Sequence, residues 1–141
     1  PVAITKQDQV LSGMSAVSPD GKWVAFAGQS NKGQAYNQND NQIWLAGDKG
    51  AARPLEANPG QGRAPSWSPD GTHLAFESDR GSASHQYAAF IINRDGTGLV
   101  QVTDYARNAN HPVFSPDGKR LVLAVGDPAK NISTIAVADL P

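Results

Sequence analysis

Val17-Ser18-Pro19-Asp20-Gly21-Lys22-Trp23-Val24-Ala25-Phe26-Ala27 returns as Trp67-Ser68-Pro69-Asp70-Gly71-Thr72-His73-Leu74-Ala75-Phe76-Glu77. It returns again as Phe114-Ser115-Pro116-Asp117-Gly118-Lys119-Arg120-Leu121-Val122-Leu123-Ala124. The Ser-Pro-Asp-Gly copies start 50 and then 47 residues apart, a period expected of stacked repeats. Each tetrapeptide reads as a tight β-turn. Proline presets φ at its turn position, aspartate bonds the nearby backbone, and glycine takes the left-handed conformation that a three-residue hairpin with a bulge requires. Each copy therefore predicts a hairpin, with one strand ending at Val17, Trp67 or Phe114. The second strands are read as 23–27, 73–77 and 120–125.

The second strands show how the hairpins pack. Val24 and Phe26, Leu74 and Phe76, and Leu121 and Leu123 give one large apolar face. Ala25, Ala75 and Val122 give a smaller one on the other side. A sheet with one wet face alternates apolar with polar, so apolar residues on both faces predict sheets sandwiched between neighbours. Further strands are read at 42–46 and 52–55 in copy one and at 87–92 and 99–103 in copy two. Copy three gives 132–138 and no fourth strand. Four strands per repeat predict an all-β fold, a β-propeller of three four-stranded blades. Composition agrees, with 14 Gly and 10 Pro among 141 residues. A net charge of −1 and the lack of a Lys/Arg run argue against a nucleic-acid partner. No apolar stretch is long enough for a membrane-spanning helix. Zero cysteine leaves no disulfide frame or thiolate metal site.

Phe76-Glu77-Ser78-Asp79-Arg80, Asn93-Arg94-Asp95-Gly96-Thr97-Gly98-Leu99 and Pro65-Ser66-Trp67-Ser68-Pro69-Asp70-Gly71 resemble the TolB-like β-propeller repeat. The resemblance covers nearly the whole chain. Copy one departs by a polar insertion at 29–41, and copy three lacks the Ser-Asp-Arg element. It implies a six-bladed propeller of the bacterial cell envelope, periplasmic or secreted, that binds partners. Similar repeats occur in substrate-gating propellers of peptidases and in polysaccharide lyases, so those two functions stand as alternatives. Fold does not fix function.

Val2-Ala3-Ile4-Thr5 is similar to Val100-Gln101-Val102-Thr103, and both lead into the next Ser-Pro-Asp-Gly. Residues 1–8 are therefore read as a strand that completes the last blade. Blade one is read as 9–57, blade two as 58–104 and blade three as 105–141. Three blades are too few to close a ring. An open wedge would expose two apolar faces. One reading is a half-propeller that forms a six-bladed ring as a homodimer. The other is a piece of a longer propeller polypeptide.

Binding residues are expected on loops at one face and at the channel mouth. Arg63, Arg107, Asn110 and His111 form a candidate polar ring for an anionic or peptide ligand. The plainer reading makes them solvated loop residues. Tyr36, in the polar insertion, is a candidate contact. The resemblance implies that Asp79 and Arg80 form a structural brace between blades, and Trp67, Phe114 and Trp44 read as core. The sequence carries no nucleophile elbow, His-Glu-x-x-His or phosphate loop, so no catalytic role is expected. His73 should lie on the opposite side of its blade from His85 and His111, against a three-histidine metal site. The stretch 37–41 lacks the spaced carboxylates of a calcium loop. No metal or cofactor is expected. The partner is expected to be a protein or a small ligand at the propeller face.

Overall fold

The computed structural model describes residues 9–30, 40–47, 51–56, 61–127 and 129–141. It contains three antiparallel sheets. The first orders β1 (Gln9–Val17), β2 (Trp23–Ser30), β3 (Gln42–Gly47) and β4 (Arg53–Pro54). The second orders β5 (Arg63–Trp67), β6 (His73–Ser78), β7 (Ala88–Asn93) and β8 (Val100–Gln101). The third orders β9 (Ala109–Phe114), β10 (Arg120–Asp127) and β11 (Ile132–Asp139). These are propeller blades, and each Ser-Pro-Asp-Gly joins the first two strands of one blade. The expected strand at 2–5 lies outside the described residues. The fourth strands are shorter than expected. Pro54 donates no amide hydrogen, and beyond each two-residue ladder one backbone bond continues among the described residues, Leu55 N to Ile43 O and Val102 N to Ala89 O.

The turns follow the expected chemistry with one difference. Gly21, Gly71 and Gly118 have φ of 72, 70 and 70°, the left-handed region. The aspartate carboxylates accept the amides of Lys22, Thr72 and Lys119, each at 3.0 Å. The ladder does not close with a backbone pair, however. Ser18 N donates to Trp23 O, but the return bond from Trp23 N goes to the Ser18 hydroxyl at 2.9 Å. Ser68 and Ser115 repeat this with His73 N and Arg120 N. The loop therefore holds four residues, and the serine side chain replaces a ladder carbonyl. Successive turns also nest. A Cβ placed on Gly71 would lie 3.6 Å from Pro19 Cδ, and one on Gly118 would lie 3.6 Å from Pro69 Cδ.

The unequal faces of each blade decide the packing. Ala25, Ala27, Ile43 and Leu45 of blade one meet Leu74, Phe76, Phe90 and Ile92 of blade two in one buried cluster. Phe76 and Phe90 stack with centroids 5.8 Å apart. The small face of blade two, Ala75 and Ala89, meets Leu121 and Leu123 of blade three. The large faces of blades two and three thus lie on the small face of the blade before. Two open faces are expected, and among the described residues one, on blade three, lies open. On blade three Val122 (38% exposed), Val137 (59%) and Ile135 (74%) lie open. On blade one the outer pair Phe26 and Trp44 is only 4% and 7% exposed. These two stack, and the Trp44 indole N–H donates to Gly28 O at 3.1 Å. That hydrogen bond satisfies the one polar atom of a ring otherwise packed as core.

Two measurements test this account. At Gly21 an added Cβ would meet nothing within 4 Å, so Gly21→Ala should cost only the left-handed penalty, about 1–2 kcal/mol in urea unfolding. At Gly96 (φ 91°) the Cβ would strike the Leu55 carbonyl oxygen, so Gly96→Ala should cost roughly twice as much or more. Equal losses would mean that the two blades do not touch there. The Ser68 hydroxyl, then the Thr72 amide and hydroxyl, hold the Asp70 carboxyl down at about 2, below its ordinary 3.8. A depressed pKa stabilises the fold above the ordinary value and loses that contribution as pH falls toward about 2. The stability gap between the native chain and Asp70→Asn should therefore narrow from pH 5 to pH 2, by a modest amount because the group is solvated.

Candidate functional site at the inner-strand bulges

The innermost strands β1, β5 and β9 are not regular. Register breaks fall between Leu11 and Ser15, between Arg63 and Ser66, and opposite Val122 and Ala124. At equivalent places in the last two bulges Ala64 and His111 have φ of 47 and 52°. Neither is glycine, so each carries backbone strain on the order of 1–3 kcal/mol. The surroundings hold the strain. His111 N donates to Glu77 Oε2 at 2.6 Å, and the Glu77 side chain is only 4% exposed. The Ser66 hydroxyl donates to Pro112 O at 2.6 Å, and the Trp67 indole to Ala16 O at 3.0 Å. Each of these bonds crosses from one blade to the next. The bulges line a cavity of about 300 Å³ among Met14, Ala64, Pro65, Ser66, His111 and Val113. Its wall is mainly apolar, with serine and histidine at fixed points.

A polar cluster continues from His111 toward blade two. The Arg63 guanidinium lies over the Tyr87 ring, 4.8 Å from its centroid, and donates to the Tyr87 hydroxyl. Arg63 Nε is buried without a hydrogen-bond acceptor among the described residues. Burial raises the Tyr87 pKa, Arg63 partly offsets this, and the Asp79 and Glu77 carboxylates raise it further. Tyr87 therefore stays a neutral hydroxyl. Its amide donates to Asn108 Oδ1 at 2.9 Å, and Asn110 Nδ2 donates to Asn108 O. His85 Nδ1 lies 3.5 Å from Asp79 Oδ2.

Three of the five residues singled out from sequence thus meet here: Arg63, Asn110 and His111. Arg107 does not. It ends a 3-10 turn (Tyr105–Arg107) and lines a separate groove with Val125, Asp127 and Thr134. Tyr36 lies outside the described residues. Glu77, Tyr87 and Asn108 went unnoticed as site residues. Glu77 carried a signal, because a carboxylate inside the apolar run Leu74-Ala75-Phe76 must be buried and must find donors. His73 sits beside its Ser-Pro-Asp-Gly turn, bonded to Thr72 Oγ1 at 2.7 Å, away from His111. No three histidine, aspartate or glutamate side chains gather as a metal-binding group among the described residues.

Arg80 is the brace expected of it. Its guanidinium makes both bonds to the Glu56 carboxylate, 2.7 and 2.9 Å, and Nε donates to Ser78 Oγ at 2.9 Å. It lies 5.0 and 5.2 Å from the Phe76 and Phe90 ring centroids. The Tyr105 hydroxyl donates to Arg80 O, and the Ser78 hydroxyl to Gln61 O. One side chain and its carbonyl so join the end of blade one to the start of blade three.

Hairpins closed by a serine hydroxyl, sheets stacked face to face and bulged inner strands together define a propeller. The chain has the TolB-like β-propeller fold. It is 33% identical over 110 residues to the uncharacterized peptidase YuxL of Bacillus subtilis, a match covering 77% of this chain and 16% of that protein. It is 34% identical over 77 residues to the Tol-Pal system protein TolB of Francisella tularensis, covering 54% of this chain and 17% of that one. The solved structure of a putative TolB from Agrobacterium tumefaciens superposes with a TM-score of 0.74 at 18% identity, over 97% of this chain and 48% of that one. No protein-family model matches the sequence. The chain spans about one sixth of the length of the curated relatives it matches.

The brace makes a sharp prediction. Arg80→Ala leaves the Glu56 carboxylate, 11% exposed, without its partner and should cost about 3 kcal/mol in urea unfolding. Arg80→Lys should recover little of it, because an ammonium cannot make the planar two-bond contact. Full recovery by lysine would reduce the pair to simple charge attraction.

Proposed function

We propose that the chain is a non-catalytic binding module that recognises a protein or peptide segment at the inner-strand groove. The groove supports this reading. Three repeats contribute equivalent bulges to it, its wall is mainly apolar, and the Ser66 hydroxyl and the His111 backbone are held by bonds between blades. Such a surface binds without paying for its own ordering. The rim residues Arg63, Asn110 and His111 are proposed to orient the ligand, with Arg107 and Tyr36 as outlying contacts. Likeness to TolB supports a periplasmic or secreted location. The open face of blade three supports completion of the ring, either by a second copy of the chain or by further blades of a longer polypeptide. Solution mass separates the two, since a dimer weighs twice 14.8 kDa.

A second reading is favoured by the peptidase relative, which gives the longer match. There the same groove would admit or exclude substrates of a hydrolase domain. Both readings place the chemistry of recognition in the groove, and one variant tests that. Ser15 is exposed and lines the groove, so Ser15→Arg should fill it without harming the fold. Capture of partners from a periplasmic extract, read by cross-linking and mass spectrometry, should fall about tenfold or more, roughly 1.4 kcal/mol. The urea midpoint should not move. Undiminished capture would sink the reading. A captured hydrolase would favour the gating form.

A further inference from the structure

The two junctions between blades are built on equivalent positions, yet only one is filled. The register makes His73 the counterpart of Trp23, because His73 faces Asn93 as Trp23 faces Gly47. Leu140 is the counterpart of Arg94. Leu140 N donates to Lys119 O just as Arg94 N donates to Thr72 O. Phe114 likewise stands where Trp67 stands. Between blades one and two, the Arg94 guanidinium lies over the Trp23 ring at 5.4 Å, and its NH1 reaches Gly71 O at 3.4 Å. The Ser18 hydroxyl does most to hold Asp20 ionised, and the Arg94 charge adds to it.

Between blades two and three the tryptophan, the tryptophan and the arginine become histidine, phenylalanine and leucine. The result is a groove of about 300 Å³ beside the Ser-Pro-Asp-Gly turns. Pro69, Ile91, Phe114 and Leu140 make its apolar wall. Asp70 and Asp117 stand on its lining. Asp70 accepts its three hydrogen bonds on Oδ1 alone, from Ser68 and Thr72, which leaves Oδ2 unengaged among the described residues. The cation nearest Asp117 is Arg120, at 4.0 Å in an exposed and therefore weak pair. The groove thus has the carboxylate and the apolar wall of the first junction without its guanidinium.

We propose that this groove is a binding site for an arginine side chain supplied by a protein partner. The aliphatic stem would lie on Ile91, Phe114 and Leu140. The guanidinium would take the place that Arg94 fills one junction earlier, with the Asp70 carboxylate and Gly118 O as acceptors. An anionic side chain is repelled by the two aspartates. Lysine lacks the planar donor set that can meet a carboxylate and a carbonyl together. The site stands at the turn end of the blades, apart from the inner-strand groove, and does not depend on the reading of that groove.

The test is a titration of the whole chain with the capped tripeptide acetyl-Gly-Arg-Gly-amide, followed by amide chemical shifts. Saturable shifts of Gly118 and Leu140 are expected. The citrulline peptide, which keeps the shape and loses the charge, should bind at least about tenfold more weakly, as should the tryptophan peptide. Leu140→Arg supplies the missing guanidinium from within and should weaken the arginine peptide about tenfold or more. Asp70→Asn should do the same and keeps the side chain's size. Equal binding of the arginine and citrulline peptides would overturn the proposal, as would preference for tryptophan. So would shifts centred outside the groove, or binding untouched by both variants.

Discussion

The constraint on which this structure rests is that each blade has a large face and a small one. Sheets packed face to face sit about 10 Å apart, and two large faces would not fit at that distance without strain. Phe76 and Phe90 can be fully buried because Ala25 and Ala27 stand opposite. Ala75 and Ala89 in turn leave room for Leu121 and Leu123. The arrangement has a direction. Blades two and three each bury a large face against the blade before, and blades one and two each offer a small face to the one after. Blade three offers that face to no described residue, and Val122, Val137 and Ile135 stay exposed. The same order explains why Gly96 must be glycine, since blade two comes so close to the backbone of Leu55 that a methyl group has no room.

Once the sheets are fixed at this spacing, the inner strands have the least freedom. They meet at the axis, and bonds from Ser66, Trp67 and His111 tie each to its neighbour. The bulges absorb the misfit between straight strands and a wedge-shaped stack. Ala64 and His111 carry left-handed conformations there that they would not adopt alone. The strain is held by Glu77, whose buried carboxylate takes the His111 amide. The inner groove is therefore rigid for the same reason that the blades stack. Arg80 acts at the outer level in a similar way, as it touches the rings of its own blade while pairing with Glu56 of the one before.

Much of this was legible in the sequence because the repeat is a local signal repeated three times. Ser-Pro-Asp-Gly announces a turn by its own chemistry, and the alternation of Phe76 with Ala75 announces burial on both sides. The Ser-Asp-Arg brace is legible only through the family resemblance, since a single charged residue after a strand end names no partner. Less legible were features set by meetings between repeats. The serine hydroxyl that replaces a ladder carbonyl is invisible until the strands are paired. The cluster of Arg63, Tyr87, Glu77 and His111 joins residues from 10 to 48 positions apart, as their numbers show. No periodicity encodes it. Loop membership groups Arg107 with Arg63, Asn110 and His111, yet the short 3-10 turn carries it to another groove. The burial of Phe26 and Trp44 was missed because the repeat pattern alone treats both end blades as open.

Repeats explain stability by their likeness and recognition by their differences. At the first junction Arg94 covers the Trp23 ring and the Trp67 indole is bonded to Ala16 O, so little is left for a partner. At the second junction the same backbone positions carry smaller side chains, so the frame persists while its filling is reduced. The second junction leaves an apolar wall open beside two exposed aspartates, and nothing in the stacking of blades requires it. The blade frame would be as well served by a second Trp–Arg pair, which the chain already knows how to build one repeat earlier. A difference that the fold does not demand, at a place the fold has made rigid, is where a physical reading looks for a ligand.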